Sequence, residues 1–190
     1  LVAKDRALDS DIIKMLIDMQ EDLHTGICNR RKTASIGLHN LEKIRFPLCY
    51  SAAGSEVSFI PLDSSQTLSL NEILNSMDVG KKYSNLLGRP NEFPILLDIK
   101  KQVVSFPPIV NSKFTMLDNL SRGIFVEVTG IDPKVADLIS AIYAATLSDL
   151  NFKVYHVTIS ENDGSSTKSP DMRPLPVSAS FTEINRCLGT

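Results

Sequence analysis

Two apolar, strand-forming runs, Pro94–Ile99 and Gln102–Phe106, are separated only by Lys100 and Lys101. That spacing predicts a hairpin with a charged turn, so these neighbours run antiparallel. Pro107 and Pro108 stop the second strand, because proline has no N–H to give a ladder. Around the hairpin, strand-like and helix-like segments alternate without a strict strand–helix–strand rhythm. The expected fold class is therefore α+β, with mixed or antiparallel sheets covered by three or four helices.

The other elements follow from periodicity and end signals. Leu8–Thr25 reads as a helix, with Ile12, Ile13, Leu16, Ile17, Met19 and Leu23 approximating one apolar stripe. Asp9 or Ser10 can cap its start, and Gly26 can take a left-handed exit. Strands are expected at Ala34–Leu38, Phe46–Ala53, Val57–Leu62 and Ile124–Thr129. Ser69-Leu70-Asn71-Glu72 fits a capping box, opening a short helix, Leu70–Ser76, that breaks near Gly80. A second, Lys81–Leu87, should end at Gly88-Arg89-Pro90, and a polar loop runs from Asn111 to Arg122. Asp132 and Pro133 read as the N-cap and first-turn proline of a helix, Pro133–Leu150. Its core face would carry Val135, Leu138, Ile139, Ile142, Tyr143 and Leu147. Phe152–Ile159 reads as a strand and Asn162-Asp163-Gly164 as a turn. The residues up to Met172 read as a weak edge strand or loop, and Thr182–Leu188 as the opening of a further element.

Composition narrows the function. At 190 residues, 43% hydrophobic and 22% charged, the chain is neither a disordered tail, a collagen nor a coiled coil. A net charge of −2 excludes a dedicated basic nucleic-acid binder. Any RNA contact must come from a local patch. Arg30-Arg31-Lys32 is that patch, read either as a solvated loop or as a phosphate contact. No apolar run reaches the roughly 20 residues that span a bilayer. Cys28, Cys49 and Cys187 are odd in number and widely spaced, which predicts reduced thiols in a reducing compartment. The chain opens at Leu1 without Met and stops at Thr190, so a trimmed piece of a longer protein is expected.

Standard phosphate-loop, dinucleotide and serine-elbow motifs are absent. His24 and Cys28 straddle a helix end with no further ligand nearby, so no metal is expected. His39 and His156 stand alone and read as histidines with structural hydrogen bonds rather than as bases. The most informative residue is Glu127, set between Val126 and Val128. Strand alternation puts Phe125, Glu127 and Thr129 on one face and the two valines on the other. A half-buried carboxylate there is costly unless hydrogen-bonded or paired. It is either an ion pair, with Arg122 or a lysine, or an acceptor that reads a ligand.

Several stretches, taken together, resemble a known family: Gln20-x-x-Leu-His24, Asn29-Arg-Arg, Ile36-Gly-Leu-His-Asn-Leu-Glu-Lys-Ile44, Phe59-Ile-Pro-Leu62, Val104-Ser-Phe-Pro-Pro-Ile-Val-Asn111 and Val126-Glu-Val-Thr-Gly130. The resemblance is to the central editing module of the phenylalanyl-tRNA synthetase β subunit, of the archaeal and eukaryotic cytosolic type. It covers about Ile12 to Leu188. It implies one editing domain over residues 1–190, with the last ~10 residues leading into the next module. It also implies a cytoplasmic α/β heterotetramer whose α subunit charges tRNA(Phe) with phenylalanine, using ATP and Mg2+. The β module would hydrolyse mischarged tyrosyl-tRNA at the tRNA 3′ end. The family's pocket positions fall on Leu96, Ser105, Glu127 and Thr129. At these positions Glu127 is the candidate acceptor for the tyrosine phenol, Thr129 and Ser105 are candidates to support it or to hold the amino acid or the attacking water, and Leu96 would pack on the ring. Arg30, Arg31 and Lys32 would touch tRNA phosphates. Because an aminoacyl ester is already activated, positioning a water can suffice, with no cofactor, metal or covalent intermediate in this domain. The alternative is a non-catalytic RNA-binding or assembly module of the synthetase. A free-standing small-molecule binder of α+β fold is a further reading.

Overall fold

The computed structural model describes all residues except 89–91, 175 and 190. The fold is α+β and is built as four layers. The first sheet has the order β10-β1-β9-β2, formed by β1 (Val2–Lys4), β2 (Ala34–Asn40), β9 (Gly123–Gly130) and β10 (Lys153–Tyr155). The second has the order β3-β6-β7-β8, formed by β3 (Cys49–Ala53), β6 (Phe93–Leu97), β7 (Val103–Phe106) and β8 (Val110–Asn111). All pairings in both sheets are antiparallel.

Each layer is closed by the apolar face its sequence provides. Helices α1 (Ser10–Thr25) and α4 (Pro133–Asp149) cover one face of the first sheet. There Ile12, Leu16, Ile139, Tyr143 and Leu147 pack on strand residues such as Val126. Helices α2 (Leu70–Ser76) and α3 (Asp78–Tyr83) cover the outer face of the second sheet, with Leu70 and Ile73 against Ile95 and Phe106. Between the sheets lies a smaller cluster, in which Val2 and Phe125 of the first meet Leu96 and Val104 of the second. Four helices thus cover the sheets. The fifth, α5 (Phe181–Leu188), buries none of its residues.

The end signals form as their chemistry dictates. Asp9 caps α1, its Oδ1 accepting the Ile12 N–H at 2.8 Å. Asp132 caps α4 by accepting from Lys134 and Val135. Ser69 and Glu72 close a reciprocal capping box at α2. The hairpin β6–β7 forms, and Asp98 Oδ1 ties its lysine turn by accepting from the backbone of Lys100 and Gln102.

Other expectations are corrected. Gly26 is not left-handed, with φ −82; its N–H bonds back to the Asp22 carbonyl and continues the helical pattern. The left-handed residues are Asn29, Arg30 and Arg31 instead. The expected strand at 46–53 begins only at Cys49, after Pro47. In the next one, Ser58–Phe59 (β4) pairs with Leu68–Ser69 (β5), while 60–62 turns away to hydrogen-bond with 111–113. The break between α2 and α3 falls at Met77, and Gly80 lies inside α3. A Cβ at Gly80 would stand 2.0 Å from the Ile73 carbonyl oxygen, so this glycine allows the two helices to close. The helix expected at Lys81–Leu87 starts earlier and passes into a 3-10 turn at Ser84–Leu86. Its expected Gly88-Arg89-Pro90 stop lies partly outside the described residues. Leu138 is half exposed, because the buried row of α4 is Ile139, Tyr143 and Leu147. At 3.6 residues per turn Leu138 points about 100° away from that row. Phe152–Ile159 divides into β10, which joins β1, and β11 (Val157–Ser160), which pairs with β12 (Ser166–Ser169). No helix among the described residues is long and apolar enough to cross a membrane.

Candidate active site

Strand β9 carries the decisive residue into the space between the sheets. Its alternation is as the sequence implies: Ile124 and Val126 join the helix-side core, and Phe125 faces the second sheet. Glu127 follows Phe125 on that inner face and pairs in register with Gly37 of β2; Thr129 pairs with Ser35. On the second sheet, Tyr50, Leu96, Ser105 and Asn111 form one cross-strand row. Ser105 pairs with Leu96 and Val103 with Leu97, which leaves Val104 as the extra residue of a bulge. Val104 packs beside Leu96, while Ser105 reaches across to Glu127.

Glu127 is 6% exposed, and two donors hold it. Ser105 Oγ donates to Oε2 at 2.6 Å, and His39 Nε2 lies 3.0 Å from the same oxygen. Oε1 carries no hydrogen bond among the described residues. His39 is fully buried, and its Nδ1 lies 2.8 Å from Thr115 Oγ1. Of the two readings of Glu127, the ion pair with Arg122 or a lysine does not form among the described residues. Arg122 sits at the other end of β9, next to Gly123, where its backbone N–H bonds to Glu42. A buried carboxylate is tolerated here because a hydroxyl and an imidazole replace its water.

A cavity of about 430 Å³ opens at the edge strands β2 and β8, with Glu127, Ser105, Gly37 and Asn111 on its floor and Ile13 and Ile17 of α1 on its wall. Gly37 is what makes room. A Cβ there would stand 2.5 Å from His39 Nε2, 3.0 Å from Glu127 Oε2 and 3.1 Å from Asn111 Oδ1. A smaller cavity, about 160 Å³, holds Thr129, Tyr50 and Lys32 and shares Arg31, Ser35, Pro107 and Pro108 with the first. At the junction Ser35 Oγ and Thr129 Oγ1 lie 2.9 Å apart. Burial, and then the charge of Glu127, push the Tyr50 phenol above its usual range.

The sequence-derived residues therefore separate into groups. Ser105 and Glu127 touch each other. Thr129 lies one register step away, against Ser35. Leu96 is buried beside Phe125 and lines neither cavity. Arg31 is turned inward. Its Nη1 donates to the carbonyls of Pro108 and Ile109 at 3.1 Å, its Nη2 to Glu21, and its guanidinium lies 4.6 Å from the Tyr83 ring centroid. Arg30 and Lys32 remain exposed. The Pro107–Pro108 peptide is cis.

His24 and Cys28 do not face a common ligand: His24 Nε2 accepts the Ile36 N–H, and Cys28 is a buried free thiol. No group of three metal-ligating side chains occurs among the described residues. His39 makes the structural hydrogen bonds expected of it, with Glu127 and Thr115 as partners; Thr115, Gly37 and Asn111 were not expected at the site. The available signal was the run Ile36-Gly-Leu-His-Asn, in which glycine and histidine share one face of an otherwise apolar strand.

No protein-family model matches the chain. The phenylalanine–tRNA ligase β subunit of Archaeoglobus fulgidus is 35% identical over 189 residues, covering 99% of this chain and 34% of that protein. The β subunit of Methanococcoides burtonii is 32% identical over 180 residues, 95% of this chain and 33% of that protein. The chain spans about a third of the length of these relatives. Among solved structures, an N-terminal fragment of the phenylalanyl-tRNA synthetase β subunit from Pyrococcus horikoshii superposes with a TM-score of 0.94 at 27% identity. That match covers all of this chain and 55% of the fragment.

Proposed function

Because this chain is related over nearly its whole length to the β subunits of archaeal phenylalanine–tRNA ligases, we propose that it is an editing domain that hydrolyses tyrosyl-tRNA(Phe). One observation supports this above all: a buried carboxylate, Glu127, with one oxygen engaged and the other unpaired, on the floor of a cavity.

The physical problem explains the need. An apolar pocket made for phenylalanine rejects tyrosine by only about 10², because the extra hydroxyl costs little. A site built to bond that hydroxyl rejects phenylalanine by roughly 10⁴ or more, because its own polar group is then left unpaired. In this reading the phenol O–H donates to Glu127 Oε1. Ser105 keeps the carboxylate aimed.

The ester end extends toward the junction of the two cavities. There Ser35, Thr129 and the backbone N–H groups of 107–111 or Gly130 can hold water and the carbonyl oxygen. Water attacks the ester carbonyl, the bond to the terminal ribose oxygen breaks, and that oxygen takes a proton. The products are free tyrosine and deacylated tRNA. Positioning of an activated ester carries this step. Arg30 and Lys32 meet the tRNA phosphates, and Arg31 holds the loop at 107–109. A ligase α subunit as partner and a cytoplasmic location belong to the same proposal.

The test is the release of amino acid from tyrosyl-tRNA(Phe) and phenylalanyl-tRNA(Phe) by this chain, alone and with α subunit added. Selective release of tyrosine supports the reading. Equal release of both, or release of neither in both conditions, overturns it in favour of a non-catalytic module.

A further inference from the structure

We infer that His39 is a positioning residue that sets tyrosine specificity by locking Glu127. The inference rests on the editing reading and adds to it a residue that touches no substrate. His39 lies on β2, two residues beyond Gly37, and its ring is wholly enclosed. Its two nitrogens face two different elements. Nε2 is 3.0 Å from Glu127 Oε2 on β9, and Nδ1 is 2.8 Å from Thr115 Oγ1 in the 3-10 turn Lys113–Thr115. Phe125 stands against the ring, with centroids 5.9 Å apart.

These contacts have one geometric consequence. A glutamate carboxylate turns about its last side-chain bond, and a half-turn only exchanges two equivalent oxygens, so what must be fixed is the carboxylate plane. Because a carboxylate only accepts, His39 Nε2 donates to it, and this N–H and the hydroxyl of Ser105 both end on the same oxygen, Oε2. Two donors from different sheets fix that plane and leave Oε1 without a partner among the described residues. Thr115 fixes the imidazole in turn. The turn that carries Thr115 directly follows cavity residues Asn111 and Ser112. The contacts Thr115–His39–Glu127 thus tie the loop beside the cavity to the group that reads the ligand. A carboxylate with only one donor would turn, and the penalty for an unpaired oxygen under phenylalanine would fade.

Two substitutions separate positioning from bulk packing. The amide nitrogen of glutamine falls near the imidazole Nε2 position, and that of asparagine near Nδ1. His39→Gln keeps the donor to Glu127; His39→Asn keeps the Thr115 contact and loses Glu127. The experiment compares kcat/KM for tyrosyl- and phenylalanyl-tRNA(Phe) in the unmodified chain and both variants, beside their thermal unfolding. Expected is a ~10- to 100-fold fall in the tyrosyl-to-phenylalanyl ratio for His39→Asn, carried by the tyrosyl ester alone. His39→Gln should retain most of the ratio. A ratio that survives His39→Asn, including by equal slowing of both esters, or one that falls alike in both variants overturns the inference. An unmodified chain with no preference overturns the editing reading itself, and the inference with it.

Discussion

Ser105 Oγ donates to Glu127 Oε2 at 2.6 Å, and this bond crosses from one sheet to the other. It is short, as hydroxyl–carboxylate bonds are. The Glu127 carboxylate is therefore oriented by the closure of two layers rather than by its own strand. Damage to the sheet interface should reach the site before it reaches the helix-side core.

Gly37→Ala tests that closure. The added methyl would overlap His39, Glu127 and Asn111 at 2.5 to 3.1 Å. Overpacking of this kind costs about 1–3 kcal/mol. The variant should unfold earlier in denaturant and lose tyrosine selectivity. Unchanged stability and selectivity together would show that the polar cluster is not packed as described.

Arg31→Lys tests the strap on the loop at 107–109. Lysine keeps the charge but cannot span both carbonyls or stack on Tyr83. Hydrogen exchange at the Ile109 amide, which bonds to the Phe106 carbonyl at 2.7 Å, should quicken. Stability should fall by about 1 kcal/mol or more. Unchanged protection at Ile109 would remove Arg31 from this role.

His24 gives the fold an acid-sensitive point. Burial, and next the charge of Arg31, push its imidazole down to about 4 from an unfolded value of 6.5, against the opposing pull of Glu21. The folded state thus holds it neutral, so that Nε2 can accept the Ile36 N–H. The unfolded state takes up a proton first as pH falls. The stabilisation is whole above pH 6.5 and drains away between 6.5 and 4, by about 3 kcal/mol. Burial raises the carboxyl of Glu21, but its bond to His24 and the charge of Arg31 together outweigh this and lower it from 4.5, so its own contribution is lost below that pH. Urea unfolding at pH 7 and pH 5 should show the fall, and His24→Gln should flatten it. Equal slopes for both chains would contradict the assignment.

The cysteines should differ in reactivity. Burial raises the Cys28 thiol to about 11, while Cys49 and Cys187 are exposed. Alkylation of the native chain at pH 8 should label the two exposed thiols quickly and Cys28 only after unfolding. Rapid labelling of all three would mean that the turn after α1 opens.

Much of this structure was legible in the sequence where the cause is local. Asp9, Asp132 and the Ser69–Glu72 pair announce helix starts because each satisfies free N–H groups within three residues. The alternation in β9 separated Glu127 from Val126 correctly, since a strand has no other choice. What escaped depends on distant pairing. His39 is 88 residues from Glu127, and only the β2–β9 register brings them together. Gly26 looked like the helix exit, yet Asn29–Arg31 take the left-handed turn, and Arg31 is held there by contacts to a loop 77 residues away. Gly80 read as a break because its true role, close approach to Ile73, needs a neighbour the local pattern does not show.

The central claim is that Glu127 reads the tyrosine hydroxyl. Its most direct test is the rate of amino-acid release from tyrosyl- and phenylalanyl-tRNA(Phe) by the unmodified chain and by Glu127→Ala. The account predicts fast, tyrosine-selective release by the unmodified chain. In the variant the tyrosyl rate should fall ~100-fold or more, with the two esters becoming nearly equal. Tyrosine-selective release that persists in Glu127→Ala would contradict it.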